Sequence, residues 1–327
     1  MTVPDRRFCI APMIDCTDRH GRFFLRLFSP NILLFTEMVT TSAILHGDRE
    51  RLLGFDNAEH PVVLQLGGSE PDELAECARI GEHYGYDEIN LNVGCPSDRV
   101  QSGAFGACLM RDPERVADCV AAMKQAVGIP VTVKHRTGVD ELDSEELLQA
   151  FVSTQIEAGV DALYLHARKA WLQGLSPKQN REIPPLHYDW AYRLQQQHPD
   201  LPIILNGGIL SLDECETHLN HMAGVMLGRE PYGNPWMLSE VDRRIYGEDQ
   251  RGYRTRRDIL EAWLPHVEAF LASGQPLKRI VKHVFGLYHG QPGGKRWRRH
   301  LSENAHKPGA GIEVLLEAAR LTEGQAG

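Results

Sequence analysis

The stretch YDEINLNVGCPSDRV, Tyr86 to Val100, alternates with period two: Ile89, Leu91 and Val93 on one side, Asn90, Asn92 and Gly94 on the other. That is the pattern of a strand with one apolar and one polar face. Pro96 has no N–H to continue a ladder, so the strand ends there and the Cys95 thiol sits at its mouth. A thiol of ordinary acidity stays mostly protonated at neutral pH and can deliver a proton. Two further strand-like runs, PVTVKHR and ALYLHARK, carry Lys134, Arg136, His166 and Arg168 on their polar parity. Positive groups beside a thiol can stabilise charge developing on a carbonyl, and a buried lysine can equally form a Schiff base. A purely structural Lys134 would need an ion pair, with Glu37 the candidate. Cys9, Cys77, Cys108, Cys119 and Cys215 read instead as small buried apolar side chains.

The elements that would position these groups follow from the wider pattern. Short β-rich runs recur at 8–13, 32–38, 61–68, 86–96, 130–136, 162–169, 202–208 and 224–230. Between them lie segments such as PDELAECARIGEHYG, DPERVADCVAAMKQAVG and DSEELLQAFVSTQIEAG, which open on acidic or capping residues and close on Gly. Eight β/α units within the first 230 or so residues predict a (β/α)₈ TIM barrel, an α/β fold. A doubly wound open sheet is the rival, but the first strand lacks the Gly-rich turn of a dinucleotide site. One parity of the strands gives Val63, Gln65 and Gly67, then Asn90 and Asn92, then Thr132, Lys134 and Arg136, then Tyr164, His166 and Arg168. The other parity is mostly aliphatic, as a face covered by helices requires. The polar parity therefore points inward, and Met13, Gln65, Asn92, Cys95, Lys134, Arg136, His166 and Arg168 are predicted to converge at the C-terminal strand ends, where barrel enzymes keep their chemistry.

The last two strands end in glycines: Gly207 and Gly208, then Gly228 with Arg229 beside it. Glycine lets backbone N–H groups approach an anion, and barrels often bind phosphate after these strands. Plain tight turning is the other reading. A phosphate seat here points to a phosphorylated substrate or a mononucleotide cofactor such as FMN.

With 327 residues, 42% apolar and 24% charged, the chain has the size and composition of a globular protein with a large domain and a smaller one. No apolar run approaches a membrane span, the N-terminal MTVPDRRFCIAPM lacks a secretory pattern, and seven cysteines without a C-x-x-C pair support neither a disulfide framework nor a metal ribbon. The cytoplasm is expected, with no metal. The net charge of −9 hides an asymmetry: residues 241–327 hold 15 Lys and Arg against 10 Asp and Glu, whereas residues 1–240 hold 20 against 34. An acidic body with a basic tail fits either a tail that meets a polyanion or a solvated basic helical face. In the tail, Lys278, Arg279, Lys282 and His283 fall on neighbouring turns, and Lys295, Arg296, Arg298 and Arg299 surround Trp297, which could serve docking or the core. A barrel catalytic domain over 1–245, a connector YGEDQRGYRTRRD, and a helical domain within 246–327 are predicted.

The blocks LNVGCPSDRVQSGAFGACLM, APMIDCTDRHGRFF, FTEMVTTSAI, HPVVLQLGG and HARKAWLQGLSPKQNREIPPL closely resemble the tRNA-dihydrouridine synthases of the A-type, from about Phe8 to Ala319. The resemblance implies an FMN-containing (β/α)₈ barrel with a C-terminal helical RNA-binding domain. It implies an enzyme that uses NADPH to reduce the C5=C6 bond of D-loop uridines at tRNA positions 20 and 20a. Matched to that pattern, Cys95 is the general acid that protonates C5. Ala11, Pro12, Met13, Gln65, Lys134, His166, Asn206, Gly207, Gly208, Gly228 and Arg229 fall on the FMN-binding positions. Asn92 and Arg136, with Lys134 and His166, surround the flipped uracil. Lys178, Asn180 and Arg181, and Lys295, Arg296, Arg298 and Arg299, match tRNA-contact regions. Cys16 stands where such enzymes often carry an aromatic residue.

Three alternatives remain beside this one: a barrel reductase of free pyrimidines in the manner of dihydroorotate dehydrogenase, a flavin-free barrel with Lys134 as Schiff base, and a tRNA-binding chaperone without catalysis. The partner expected is tRNA, and a monomer is expected.

Overall fold

A computed structural model describes residues 3–97, 103–248 and 255–323. The chain divides into two compact units, residues 1–15 with 31–228, and residues 16–30 with 229–327.

Among the described residues the first unit is built on nine strand segments, all parallel: β1 Phe8–Ile10, β2 Leu34–Phe35, β3 Val39–Thr40, β4 Val62–Gly67, β5 Glu88–Val93, β6 Val131–Arg136, β7 Ala162–His166, β8 Ile203–Asn206 and β9 Gly224–Leu227. They pair in the order β1-β9-β8-β7-β6-β5-β4-β2, with β3 also on β4. The ring closes because β1 has a second neighbour: Ile10 N donates to Leu33 O at 2.9 Å and Leu33 N to Phe8 O at 3.0 Å. Closure leaves no edge, so the open-sheet alternative falls and the (β/α)₈ barrel stands. Of the run expected as one strand over 32–38 only Leu34–Phe35 is strand, and a second short piece, Val39–Thr40, follows it on the same partner. Between them Thr36 turns its hydroxyl to accept from Gln65 N at 3.0 Å. Other strands are shorter than expected at their ends, as at Gly207 and Gly208, whose φ of 109° and 75° leave the extended region.

Helices cover the outside where the acidic starts and Gly ends placed them, at Pro71–Tyr84, Pro113–Ala126 and Glu145–Glu157. Asp112 and Ser144 accept N-terminal N–H groups of two of them, and Gly85 closes the first at φ 93°. Such a cap contributes ~1 kcal/mol. Outward residues of the strands, among them Leu64, Ile89, Leu91, Val131, Val133 and Leu165, are fully buried under these helices. The inward residues Cys9, Leu33, Phe35, Val63, Ala162, Tyr164, Ile204 and Met226 pack together inside the ring.

The second unit is helical, with Arg19–Arg26, Arg256–Ala272, Gly294–Asn304 and Ile312–Glu323 as its longer helices. Its core holds Trp263 and Trp297, both fully buried. The expected connector lies partly outside the described residues, which omit 249–254. Among the described residues no helix is long and apolar enough to cross a membrane.

Candidate active site at the barrel mouth

Strand register decides which side chains meet. Asn92 pairs with Lys134, Arg136 with His166, and His166 with Asn206. Parallel strands place these inward groups at the C-terminal end of the barrel, so the convergence expected from alternation is observed for β5 to β8.

Cys95 follows β5 by two residues and is half-buried. Its loop is tied from two sides. Asn92 Oδ1 accepts from the N–H groups of Gly94 and Cys95 at 3.1 and 3.0 Å, while its Nδ2 donates to Gln65 Oε1 at 2.8 Å. Arg136 Nε donates to Gly94 O at 2.8 Å, and Ala107 N to Cys95 O at 3.0 Å. The thiol lies 3.4 Å from Ser97 Oγ. Residues 98–102 of the same motif are outside the described residues.

Lys134 Nζ donates to Asn206 Oδ1 at 3.1 Å, and Asn206 in turn donates to Met226 O at 2.7 Å. The lysine's partner is thus a neutral amide, where an ion pair with Glu37 was the structural expectation. Burial, and then the nearby Arg136, push the Lys134 amine down to about 7, against a smaller pull from Cys95. Burial and the same cations, Arg136 and Lys134 ahead of Arg168 and Arg181, push His166 well below its ordinary range. His166 therefore serves as a neutral imidazole at physiological pH.

Arg136 is committed to shape. Besides Gly94 it donates from Nη1 to Lys169 O and Asn180 O, each at 3.1 Å, joining the loops after β5 and β7. Of its donor nitrogens, Nη2 makes no hydrogen bond within the described residues. Asn180 is likewise an internal brace. It is fully buried, its Oδ1 accepts from Trp171 N at 2.7 Å, and its Nδ2 donates to Trp171 O at 2.9 Å. Lys178 and Arg181 of that loop are exposed.

Gly207 and Gly208 are needed as glycines twice over. Besides the positive φ, a Cβ on Gly207 would stand 2.5 Å from His166 Cδ2, and one on Gly208 would stand 2.6 Å from Leu186 Cδ1 and from Tyr188 Oη. Tyr188 Oη also donates to Gly207 O at 2.6 Å, a support that alternation could not reveal because Tyr188 opens a helix. Ala11 and Met13 flank Gly228, lying 3.6 and 3.2 Å from where its Cβ would be; Pro12 lies between them. Arg229 begins the second unit as the first residue of a short helix and is exposed. Gly94 differs from these, because a Cβ there would meet nothing closer than 3.5 Å. No atom of the described residues demands that glycine.

In the helical unit Lys295, Arg296, Arg298 and Arg299 are exposed on one helix. Trp297, on the opposite side, is fully buried and donates from Nε1 to Val284 O at 3.1 Å, which settles its two readings in favour of the core. The expected basic helix around Lys278 is a pair of 3₁₀ turns. There His283 is buried and, with Lys282, lies 3.0 Å from the Asp18 carboxylate, so neither is a free surface cation. Cys108 is half-buried with its thiol 3.0 Å from Phe105 O, whereas Cys9, Cys77, Cys119 and Cys215 are buried as expected.

The family model described as "Dihydrouridine synthase (Dus)" matches residues 9–323. A protein of Shewanella oneidensis named tRNA-dihydrouridine(20/20a) synthase is 59% identical over 311 residues, covering 95% of this chain and 92% of the relative. Proteins of the same name from Xanthomonas campestris pv. campestris and Escherichia coli O6:H1 are 54% and 55% identical, covering 98% and 97% of this chain and 95% and 96% of the relatives.

Proposed function

The chain belongs to the dihydrouridine synthase family, flavin-dependent oxidoreductases that form dihydrouridine in tRNA, and from that premise we propose that it reduces the C5=C6 bond of uridines 20 and 20a, with FMN bound in the barrel and NADPH as reductant. The observation that carries this reading is the Cys95 thiol, held by Asn92 and Arg136 at the same strand ends as the Lys134 amine and the neutral His166.

The mouth suits a flavin mononucleotide on three counts. Lys134 is a half-buried amine whose partner among the described residues is a neutral amide, so an electron-rich ring edge would supply the negative charge it lacks. Gly207 and Gly208 have the positive φ of a turn that can aim backbone N–H groups at a phosphate. Gly94 adds no side chain beside the thiol. Ala11, Pro12, Met13, Gln65, Asn206, Gly228 and Arg229 complete the proposed FMN set. FMN, when bound, is the source of the hydride that C6 of the uracil receives.

The protein's own groups do the rest. Cys95 Sγ holds the proton that C5 receives; the S–H bond breaks as the C–H bond forms, and the thiolate regains a proton from solvent. Asn92 Oδ1 fixes the backbone on which that thiol stands. Lys134, with an amine near neutrality, can carry or release a proton as charge develops at its neighbour. His166 acts as an uncharged hydrogen-bond partner. The uridine must leave its stack to reach this depth, at a cost of a few kcal/mol. Exposed cations repay it through phosphate contacts: Lys178 and Arg181 on the barrel, and Lys295, Arg296, Arg298 and Arg299 on the helical unit. Asn180 contributes by holding its loop. Catalysis is assigned to the barrel domain and RNA binding to the C-terminal domain of a monomer acting in the cytoplasm, where tRNA and NADPH are found together. The Schiff-base alternative would use the same lowered amine, but the match to dihydrouridine synthases decides against it.

The test is direct. Purified yellow protein incubated with NADPH and tRNA lacking dihydrouridine should yield a nucleoside heavier by about 2 Da at positions 20 and 20a. Unmodified tRNA after full flavin turnover would sink the proposal.

A further inference from the structure

Beneath Asn92 the inward polar side chains form a file that runs to the floor of the barrel. Asn92 Nδ2 donates to Gln65 Oε1 at 2.8 Å, and Gln65 Nε2 to Asn90 Oδ1 at 2.8 Å. Asn90 Nδ2 donates to Thr132 Oγ1 at 3.0 Å, and the Thr132 hydroxyl to Glu88 Oε1 at 2.6 Å. The Tyr164 hydroxyl donates to the same carboxylate oxygen at 2.9 Å, while Arg6 Nε donates to Oε2 at 2.8 Å. Every link donates downward. Glu88 is fully buried at the first residue of β5, about 13 Å below Asn92 at the usual strand rise.

The sense of such a file is not set by packing, because the two ends of an amide have nearly the same shape. It is set by the group at its foot. An ionised carboxylate can only accept, and at 2.6 Å it is a closer and stronger acceptor for the Thr132 proton than Ile89 O at 3.3 Å, so Thr132 donates to Glu88 and accepts from above. Asn90 must then turn its NH₂ down and its oxygen up, Gln65 must do the same, and Asn92 is left with its oxygen toward the loop. The opposite sense would set an NH₂ against the N–H groups of Gly94 and Cys95. Burial raises the Glu88 carboxyl above its ordinary range, and Arg6 at 2.6 Å, with the two hydroxyl donors, offsets that rise in part and holds the charged form.

We propose that Glu88, held by Arg6 at the barrel floor, is a positioning residue for the reaction: it orders the file Thr132–Asn90–Gln65–Asn92 and so fixes the backbone that carries the Cys95 thiol. The proposal rests on the reading of Cys95 as proton donor, and it assigns Glu88 no contact with substrate or cofactor.

The experiment compares wild type with Thr132→Val, which keeps the shape but deletes the relay hydroxyl, with Thr132→Ser, which restores it, and with Glu88→Gln, which puts a donor at the foot. Two quantities are measured on the flavin-loaded protein: hydrogen exchange of the Gly94 and Cys95 amides by mass spectrometry, and the separate rates of flavin reduction by NADPH and of uridine reduction. Thr132→Val should exchange these amides at least tenfold faster and reduce uridine about tenfold more slowly, with flavin reduction unchanged, and Thr132→Ser should return both to wild type. Glu88→Gln, if it folds, should resemble Thr132→Val. Wild-type exchange and uridine reduction in Thr132→Val would overturn the proposal, even if its melting temperature fell. Should wild type itself form no dihydrouridine, the reading of Cys95 fails, while the exchange comparison still decides whether Glu88 orders the file.

Discussion

The Nζ of Lys134 donates to the Oδ1 of Asn206 across 3.1 Å, linking β6 to β8 over the intervening β7. The pair holds a half-buried amine in place without neutralising it. Its amine is lowered from an ordinary 10.5 to about 7. Because the folded value is below the unfolded one, the unfolded state binds more protons between these values, and stability rises with pH across that window. In flavin-free protein, Lys134→Met should therefore melt above wild type at pH 7, with the gap closing as pH approaches 10. A gap independent of pH would show that Lys134 is solvated in the folded state. In the loaded enzyme the same variant should lose activity and flavin retention together.

Cys95→Ala removes the proposed proton donor and, of the contacts that brace its loop, only the one from the thiol to Ser97, since Asn92 and Arg136 grip the backbone of residues 94 and 95. Uridine reduction should fall by roughly 10²- to 10⁴-fold, the usual contribution of a positioned acid. Flavin content and tRNA affinity, read by absorbance and filter binding, should be unchanged. Undiminished turnover would remove the acid role.

Gly207→Ala and Gly85→Ala form a matched pair. Both glycines have positive φ, 109° and 93°, but only at Gly207 would the new Cβ meet a neighbour, the His166 ring. Each should cost about 1 kcal/mol or more in backbone strain. Gly207→Ala should also displace His166 and lower flavin retention, measured as the ratio of flavin to protein absorbance. Equal flavin retention in the two variants would mean that Gly207 serves only the turn.

Reversing Arg298 and Arg299 to Glu should weaken tRNA binding and reduce the slope of log affinity against log salt by roughly 1.5 to 2. Arg299 already shares its Nε with Glu303 at 2.7 Å, whereas Arg298 has no partner among the described residues, so the single change at Arg298 should have the larger effect. Flavin reduction by NADPH should not change. An unaltered salt slope would exclude this helix as the docking surface.

Asn180→Ala should act through structure. It removes the bonds to Trp171 N and O and to Leu175 O that close the loop over residues 171–180. The loss of a buried, fully used amide should cost about 1–3 kcal/mol and speed proteolysis within that loop. Weaker tRNA binding with unaltered loop protection would instead make Asn180 a direct contact.

The alternation of Asn90 and Asn92, of Lys134 and Arg136, and of Tyr164 and His166 was enough to assign inward and outward faces, because side-chain direction in a strand is a local property with a period of two residues. With the recurrence of β and helical runs, that made the barrel and its mouth readable from sequence alone. What alternation leaves open is which inward group finds which partner. Glu88 shares the parity of Asn90 and Asn92, yet its bond to Arg6 joins residues 82 apart and exists only because the ring closes. The exchange of Glu37 for Asn206 as partner of Lys134, the turning of Arg136 and Asn180 into braces, and the burial of Trp297 beside exposed arginines have the same origin. Those outcomes depend on distances across the fold, which the order of residues along the chain does not contain.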